Sequence, residues 1–259
     1  MSVLSLSERS YLLKGVAKGV RLDGRSPHEA RRLCIVSADV PFASGSARAS
    51  LGGSATNVLA VVKAELSACS VLGGGTIECA AHVHAGADSG AEIAAAVLRV
   101  FSAPGVVDLA ALVVQPGVWA WRISIDLVVL LDDGSLLDTA VAAAHAALRN
   151  ARVPALRVIK TEGGAELELD DDPGAAQMLP FALTLPAAVT LHLCGGRALV
   201  DATAAEAACA EGKVTVGVSP TGGVVFFAAE GKGIAPRELH EAILAAPKLA
   251  ARIFAAITA

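Results

Sequence analysis

Between Asp126 and Pro154 a short acidic turn, Asp132-Asp133-Gly134-Ser135, separates an apolar run from an alanine-rich one. Leu127 to Leu131 predicts a buried strand, the turn residues a tight reversal, and Thr139 to Leu148 a helix. A strand that delivers the chain to a helix N-terminus in this way can hold an anion on backbone N–H groups and the helix dipole, usually with an Arg or Lys supplying the full charge. Here the residues after Gly134 are Ser135, Leu136, Leu137 and Asp138. None is cationic, and a carboxylate at the helix N-cap is expected to repel phosphate and to satisfy the N–H groups itself. The segment has the outline of a phosphate loop without its charge.

Two other groups of residues could do chemistry. Cys79, His82 and His84 lie close together, and zinc accepts both thiolate and imidazole. On a strand, however, the two histidines share a face and Cys79 points away from both. An ordinary strand or loop is expected, with no metal site and no cofactor. The remaining cysteines (Cys34, Cys69, Cys194, Cys209) are widely spaced and read as free thiols. The second group is acidic. After Lys160 the chain carries Glu162, Glu166, Glu168, Asp170, Asp171 and Asp172 with no cation among them. A run of this kind reads as solvated surface.

The elements that must position these residues follow from periodicity. A helix is expected from Glu8 to Gly19, then strands near Leu33–Val40, Ser46–Leu51 and Asn57–Glu65. A glycine-rich break at Gly73-Gly74-Gly75 precedes a helix over Ser89–Phe101, whose Ile93, Val97 and Val100 share one face. The strand Trp119–Leu131 and the helix Thr139–Asn150 complete the first half. Residues 1–160 are read as one domain, 161–179 as an acidic linker and 180–259 as a second domain. The second holds strands near Ala182–Leu193, Gly196–Val200, Lys213–Ser219 and Gly223–Ala229. A final helical region, Pro236–Ile257, is expected to be interrupted at Pro247. Two strand-rich halves, each followed by helix, predict an α+β fold.

Composition restricts function only loosely. The 259 residues are 54% hydrophobic with a formal net charge of −4, enough apolar content for one or two cores. There is no apolar run of membrane-spanning length and no signal-peptide pattern, so a cytosolic and nuclear setting is expected. An acidic average argues against stand-alone nucleic-acid binding. The distribution is uneven, though: Arg9, Lys14, Lys18, Arg21, Arg25, Arg31, Arg32 and Arg48 crowd the first fifty residues against Glu8, Asp23, Glu29 and Asp39. A mild basic zone suits an RNA path shared among several chains. Aromatic content of 3% leaves few platforms for base stacking.

The turn, taken with Arg21-Leu22-Asp23-Gly24-Arg25, Ser44-Gly45-Ser46-Ala47-Arg48, Val61-Val62-Lys63-Ala64-Glu65, Val107-Asp108-Leu109, Trp121, Val200-Asp201-Ala202-Thr203 and Gly231-Lys232-Gly233, resembles the RNase PH family of phosphorolytic exoribonucleases over nearly the whole chain. The order and spacing are most similar to its non-catalytic exosome ring branch. The resemblance implies two RNase PH-type domains, each a mixed sheet covered by helices, the first half ribosomal protein S5 domain 2-like. It implies that Asp133 and Gly134 keep the family turn while Leu136 and Leu137 stand where a Thr and the phosphate-holding Arg belong. Glu168-Leu169-Asp170 looks like the first part of the family's acidic centre. The second part is missing, because Gln177 to Ala182 offers only one neutral amide and apolar side chains, none able to act as a general acid. Arg99 matches an Arg that lies near the RNA path in ring subunits. The Arg21, Asp23 and Arg25 signature has a simpler reading, a turn tipped by Gly24 whose charges brace the first strand.

Two functions of different class remain. One is a non-catalytic structural subunit of an RNA exosome core ring. It would pair with other RNase PH-like ring subunits, help form a channel for single-stranded RNA in 3′–5′ processing and degradation, and be found in nucleus (nucleolus) and cytoplasm. The alternative is an active phosphate-dependent 3′–5′ exoribonuclease whose phosphate site uses backbone groups alone. Loss of the one full positive charge facing a phosphate lowers rate on the order of a hundredfold to a thousandfold. That weighs toward the structural subunit, with catalytic residues none.

Overall fold

A computed structural model describes residues 4–38, 40–69, 74–83, 87–161, 164–170, 172–231 and 234–259. Helix α1 (Leu6–Ala17) leads into β1 (Leu33–Ser37), β2 (Gly45–Leu51), β3 (Thr56–Ala68) and β4 (Thr76–Val83). There follow α2 (Ala87–Phe101), β5 (Val113–Gln115), β6 (Trp119–Leu131) and α3 (Leu136–Asn150). Strands β7 (Arg152–Val153), β8 (Leu156–Thr161), β9 (Gly164–Leu169) and β10 (Gln177–Met178) come next. The chain ends with β11 (Ala187–Cys194), β12 (Arg197–Val200), α4 (Ala204–Cys209), β13 (Gly212–Val218), β14 (Val224–Gly231) and α5 (Pro236–Thr258).

The first sheet runs β1-β2-β3-β6-β4, with β5 beside β6. It is mixed: β4 runs parallel to β6 and the other pairs are antiparallel. Its backbone is the β3–β6 pair, in register from Val58 opposite Val129 to Ala68 opposite Trp119, with a shift just before Val58 that sets Asn57 opposite Leu131. The second sheet, β12-β11-β13-β14, is antiparallel throughout.

Helix α3 joins the two halves. Every residue from Thr139 to Leu148 is buried, because the helix lies against β2 and β3 on one side and β11 on the other. Alanine makes this possible, since its small side chain lets backbones approach closely with no loss of helix propensity. At the tightest point a Cβ on Gly45 of β2 would come within 2.5 Å of Ala147 O and Ala151 N. One core therefore runs from Val58, Ile123 and Ile125 of the first sheet through Val97, Val100 and Phe101 of α2 to Phe181, Leu185 and Ala188. The expected apolar face of α2 is there, each fully buried Val side chain contributing about 1.5–3 kcal/mol. A second core packs α5 on Val189, Leu191, Val214 and Val216, and a third seats Leu12 and Val16 of α1 on Cys194, Leu199 and Cys209.

Two expectations change and one is settled. The stretch read as an acidic linker carries strand structure: β9 folds back on β8, and β10 pairs with β7. Its alternation Glu166-Leu167-Glu168-Leu169 has the period of a strand. Glu162, Asp171 and part of the expected glycine break, Gly73, lie outside the described residues, as do Asp39, Lys232 and Gly233. The stretch with Cys79 and His82, open in the sequence between strand and loop, is strand β4. Finally, α5 is continuous through Pro247. Proline removes one helical hydrogen bond, but Ala242, Ala246 and Ala250, spaced one turn apart, hold a buried stripe on the sheet on both sides of it.

Candidate functional site

The turn between β6 and α3 forms as the sequence predicts, with the helix beginning three residues earlier, at Leu136. Asp132 caps the reversal by accepting from Gly134 N (3.0 Å). Gly134 has φ +88°, and Ser135, the N-cap of α3, has φ +52°. Thr56, at the start of β3, holds the turn from the sheet side: its hydroxyl accepts from Asp133 N (3.0 Å) and donates to Gly134 O (2.7 Å). Leu136 and Leu137 pack against the first core. Both are partly buried, and neither carries a charge for a phosphate.

Asp138 departs from expectation. It sits in the first turn of α3, three residues after the N-cap, and its carboxylate is directed away from the helix N–H groups. Oδ2 accepts from Thr190 N (2.8 Å) and Oδ1 from the Thr190 hydroxyl (2.6 Å), stitching α3 to β11. Burial pushes this carboxyl up to about 7; the two Thr190 hydrogen bonds pull the other way and the charge of Asp201 adds to the rise. A carboxyl raised from an ordinary value near 4 favours the fold fully only below that value, and the benefit is lost as pH climbs toward 7. Asp138→Asn keeps the shape and cannot ionise. The stability of the native chain relative to this variant is expected to fall by about 2 kcal/mol between about pH 5 and about pH 7, read by urea unfolding at both. A difference independent of pH would show that Asp138 is ionised throughout.

A cation does reach the turn, from a distance the local sequence could not show. Arg31, just before β1, donates from Nη1 to Asp133 O (3.1 Å) and Asp133 Oδ2 (3.3 Å) and from Nη2 to Gly134 O (3.4 Å). The same guanidinium is paired with Asp201, Nη2 to Oδ1 at 2.7 Å and Nε to Oδ2 at 2.9 Å, and Asp201 also accepts from Arg31 N. Arg25 adds a further bond to Asp201 (2.8 Å) while pairing with Asp23. Arg31 therefore braces the turn through its carbonyl groups, with its charge answered by two carboxylates.

The Arg21-Leu22-Asp23-Gly24-Arg25 signature is structural, with Gly24 in a turn at φ +77°, but its charges do not brace the first strand. Arg21 reaches across to α4, where its buried guanidinium meets both oxygens of Glu206 (2.9 and 2.6 Å) and the carbonyls of Val200 and Asp201. Asp201, Glu206, Arg31 and Thr190 are the residues that sequence reasoning missed as parts of the site. The only local signals were the Val200-Asp201-Ala202-Thr203 motif and the capping-box spacing from Thr203 to Glu206.

These pairings shrink the basic zone, because Arg21, Arg25 and Arg31 are spent internally and Arg48 donates to Asn57 Oδ1. The acidic candidates are tied as well. Asp170 is paired with Arg157 at 2.6 Å, and its carboxyl is held below the usual range by the Asp172 backbone N–H and Arg157 against the opposing effect of burial. Gln177 and Met178 are locked into β10. Arg99 is exposed on α2 and has no ion pair or hydrogen bond among the described residues. On β4, His82 is exposed while Cys79 lies on the inner face, its thiol pushed up to about 12 by burial and the charge of Asp126. His84 lies outside the described residues, and among those described no cluster of three metal-ligating side chains is present. No described helix is long and apolar enough to cross a membrane.

Residues 29–154 match domain 1, and residues 184–248 domain 2, of the 3′ exoribonuclease family, RNase PH. The chain is 33% identical over 218 residues to exosome complex component Rrp42 of Thermoplasma acidophilum, covering 78% of this chain and 82% of that protein. It is 28% identical over 254 residues to the Rrp42 of Archaeoglobus fulgidus, covering 92% and 90%. Its structure is similar to a chain in an Archaeoglobus fulgidus exosome with RNA bound to the active site, with TM-score 0.76, 26% identity and coverage of 95% and 96%. An archaeal exosome core contains a chain with TM-score 0.74 and 28% identity, covering 95% and 96%. By sequence along both domains and by fold, the chain belongs to the RNase PH family.

Proposed function

We propose that this chain is a non-catalytic subunit of an exosome core ring, where it pairs with other RNase PH-like subunits and helps form the channel that carries single-stranded RNA to 3′–5′ processing and degradation. The observation that carries the reading is the turn itself. Where the family resemblance calls for a phosphate-holding guanidinium, the partly buried Leu137 packs against the core, and the cation that does reach the turn, Arg31, binds its carbonyls and two carboxylates. An incoming phosphate finds no unspent charge on the residues at and bound to the turn, and Asp170, engaged with Arg157, is no general acid. The relatives at 28–33% identity that carry an exosome-component name support the ring assignment. A ring subunit is found where its ring works, so the nuclear (nucleolar) and cytoplasmic distribution belongs to this reading too, checked by fractionation that follows chain and neighbours together.

Arg99 is the side chain assigned to the RNA path. It is exposed and unpaired among the described residues, and a phosphate contact of this kind strengthens binding without reading sequence. Co-expressed with RNase PH-like ring neighbours, the chain is expected to co-purify stoichiometrically. In that assembly Arg99→Glu is expected to weaken single-stranded RNA binding about tenfold, measured by filter binding at fixed salt, with assembly unchanged. Unchanged affinity would take Arg99 off the path, and failure to co-purify with any such neighbour would defeat the ring assignment.

A further inference from the structure

A cavity of about 470 Å³ opens on the second-domain side of the turn, between the segment from Arg25 to Leu33, the start of α3, strands β11 and β12, and helix α5. It adjoins the turn, since Ser135, Asp138 and Thr139 line it, but it lies off the face of Leu136 and Leu137, which with Arg99 and Asp170 are not among its lining residues.

The cavity is graded from inside to outside. Leu51, Val189 and Val200 line it with Ser135, Thr139 and Asp201, each less than a tenth exposed, so its depth is part apolar and part polar. Leu33, Leu249 and Ile253 extend the apolar wall outward. Arg32 and Arg252 also line it, and both are exposed. Unlike Arg25 and Arg31, which Asp201 holds, these two have no carboxylate or carbonyl partner among the described residues. The rim carboxylate, Glu29, is turned to its own loop, accepting from Ser26 N. At depth two polar groups are available. Ser135 is 6% exposed and its Oγ has no hydrogen-bond partner in the structure, a state that costs about 1–3 kcal/mol for a buried group. Asp138 keeps lone pairs beyond those used by Thr190.

Free cations at the mouth, apolar walls and a small polar set at depth suit an organic anion with a flat apolar body. The volume falls within the ordinary range for small-molecule pockets, about 300–1,000 Å³. A bare phosphate would leave the walls wet, and a longer aliphatic acid would leave the Ser135 hydroxyl unpaired. A nucleobase meets both demands, with apolar faces for the walls and a hydrogen-bonding edge for Ser135 and Asp138.

We propose that this cavity is a ligand site for a nucleoside monophosphate, its base held among Leu33, Val189, Leu249 and Ile253 and its phosphate between Arg32 and Arg252. The full chain is dialysed to equilibrium against labelled adenosine and guanosine 5′-monophosphate, with inorganic phosphate and a single-stranded oligoribonucleotide as competitors. One saturable site is expected, with Kd below about 1 mM for at least one nucleotide. Arg32→Glu and Arg252→Glu, both at exposed positions, are each expected to weaken it about tenfold or more with unfolding midpoint unchanged, and Arg99→Glu to leave it unchanged. Competition by inorganic phosphate only well above the nucleotide Kd supports the apolar contribution. The assignment is overturned by the absence of saturable binding of either nucleotide, by binding that both arginine variants leave intact, or by equal loss in Arg99→Glu. It is overturned too if only the oligoribonucleotide binds and loses affinity in the arginine variants.

Discussion

Replacing Glu206 by alanine is expected to lower the stability of the chain by about 3–5 kcal/mol, which approaches the whole stability of many domains. Arg21 is the reason. Its side chain is fully buried, and its charge is answered by both oxygens of Glu206. With Glu206 gone, only uncharged acceptors, the carbonyls of Val200, Asp201, Glu29 and Ser26, remain for a guanidinium that water cannot reach. The loss is compounded at α4, where Glu206 closes a capping box by accepting from Thr203 N (2.9 Å). A double variant, Arg21→Met with Glu206→Leu, removes both charges and keeps apolar volume. It is expected to be clearly more stable than Glu206→Ala, because most of the single-variant cost is the stranded charge rather than the net value of the pair. Urea unfolding of the three proteins decides the matter. A double variant no better than the single would mean that Arg21 finds solvent or another partner.

Gly134→Ala is expected to cost about 2–5 kcal/mol, for two reasons that can be separated. At φ +88° a side chain is strained by about 1–2 kcal/mol. In addition, the new Cβ would collide with Ala202 O and stand 2.6 Å from Thr203 C, in the link between β12 and α4. Backbone on both sides cannot give way cheaply, and overpacking of this kind adds about 1–3 kcal/mol. Gly105 supplies the control, since it has φ +78° but open space where a Cβ would go. Gly105→Ala is expected to show the strain alone. Equal losses at the two positions, by shift in urea midpoint, would mean that the turn does not press on the second domain as described.

Both predictions depend on contacts between the halves of the chain, and these were the least legible from sequence. Arg21 and Glu206 are 185 residues apart, and Arg31 and Asp201 are 170 apart. Neither pair has a local pattern. By contrast, the β6–turn–α3 unit was readable because each part has its own signal: an apolar run, a glycine in a turn of acidic residues, and an unbroken Ala-rich helix. The absence of a cation from the turn itself was also readable, from the leucines at 136 and 137. What the leucines could not show is that the guanidinium absent from the turn sequence is present in space as Arg31, turned to a bracing task. Strand β4, Thr-Ile-Glu-Cys-Ala-Ala-His-Val, stays open between strand and loop in the sequence because one of its faces is exposed and its inner face is partly alanine and cysteine, a weak β signal. The β8–β9 hairpin was hidden by charge, since a run of carboxylates suggests solvent before it suggests alternation. Pro247 misled in the opposite sense: a helix-breaking residue is tolerated where a long buried stripe on either side secures the helix.

The Asp138 carboxylate shows how the site departs from its outline. A negative charge at the start of α3 suggested occupation of the helix N–H groups. Instead it bonds to Thr190 on β11, so a residue placed where it would repel phosphate serves to join the two domains. The leucines of the turn and the interdomain contact made by Asp138 lie on the same helical turn.

The most direct test is an assay of the purified full chain for phosphate-dependent release of nucleoside diphosphates from the 3′ end of a single-stranded RNA. No release above the rate without phosphate is expected, from the chain alone or from an Asp170→Asn variant. Reproducible phosphorolysis by the native chain that disappears in Asp170→Asn would contradict the account, because it would place a working phosphate site and a working acid where the structure has a packed leucine and an engaged carboxylate.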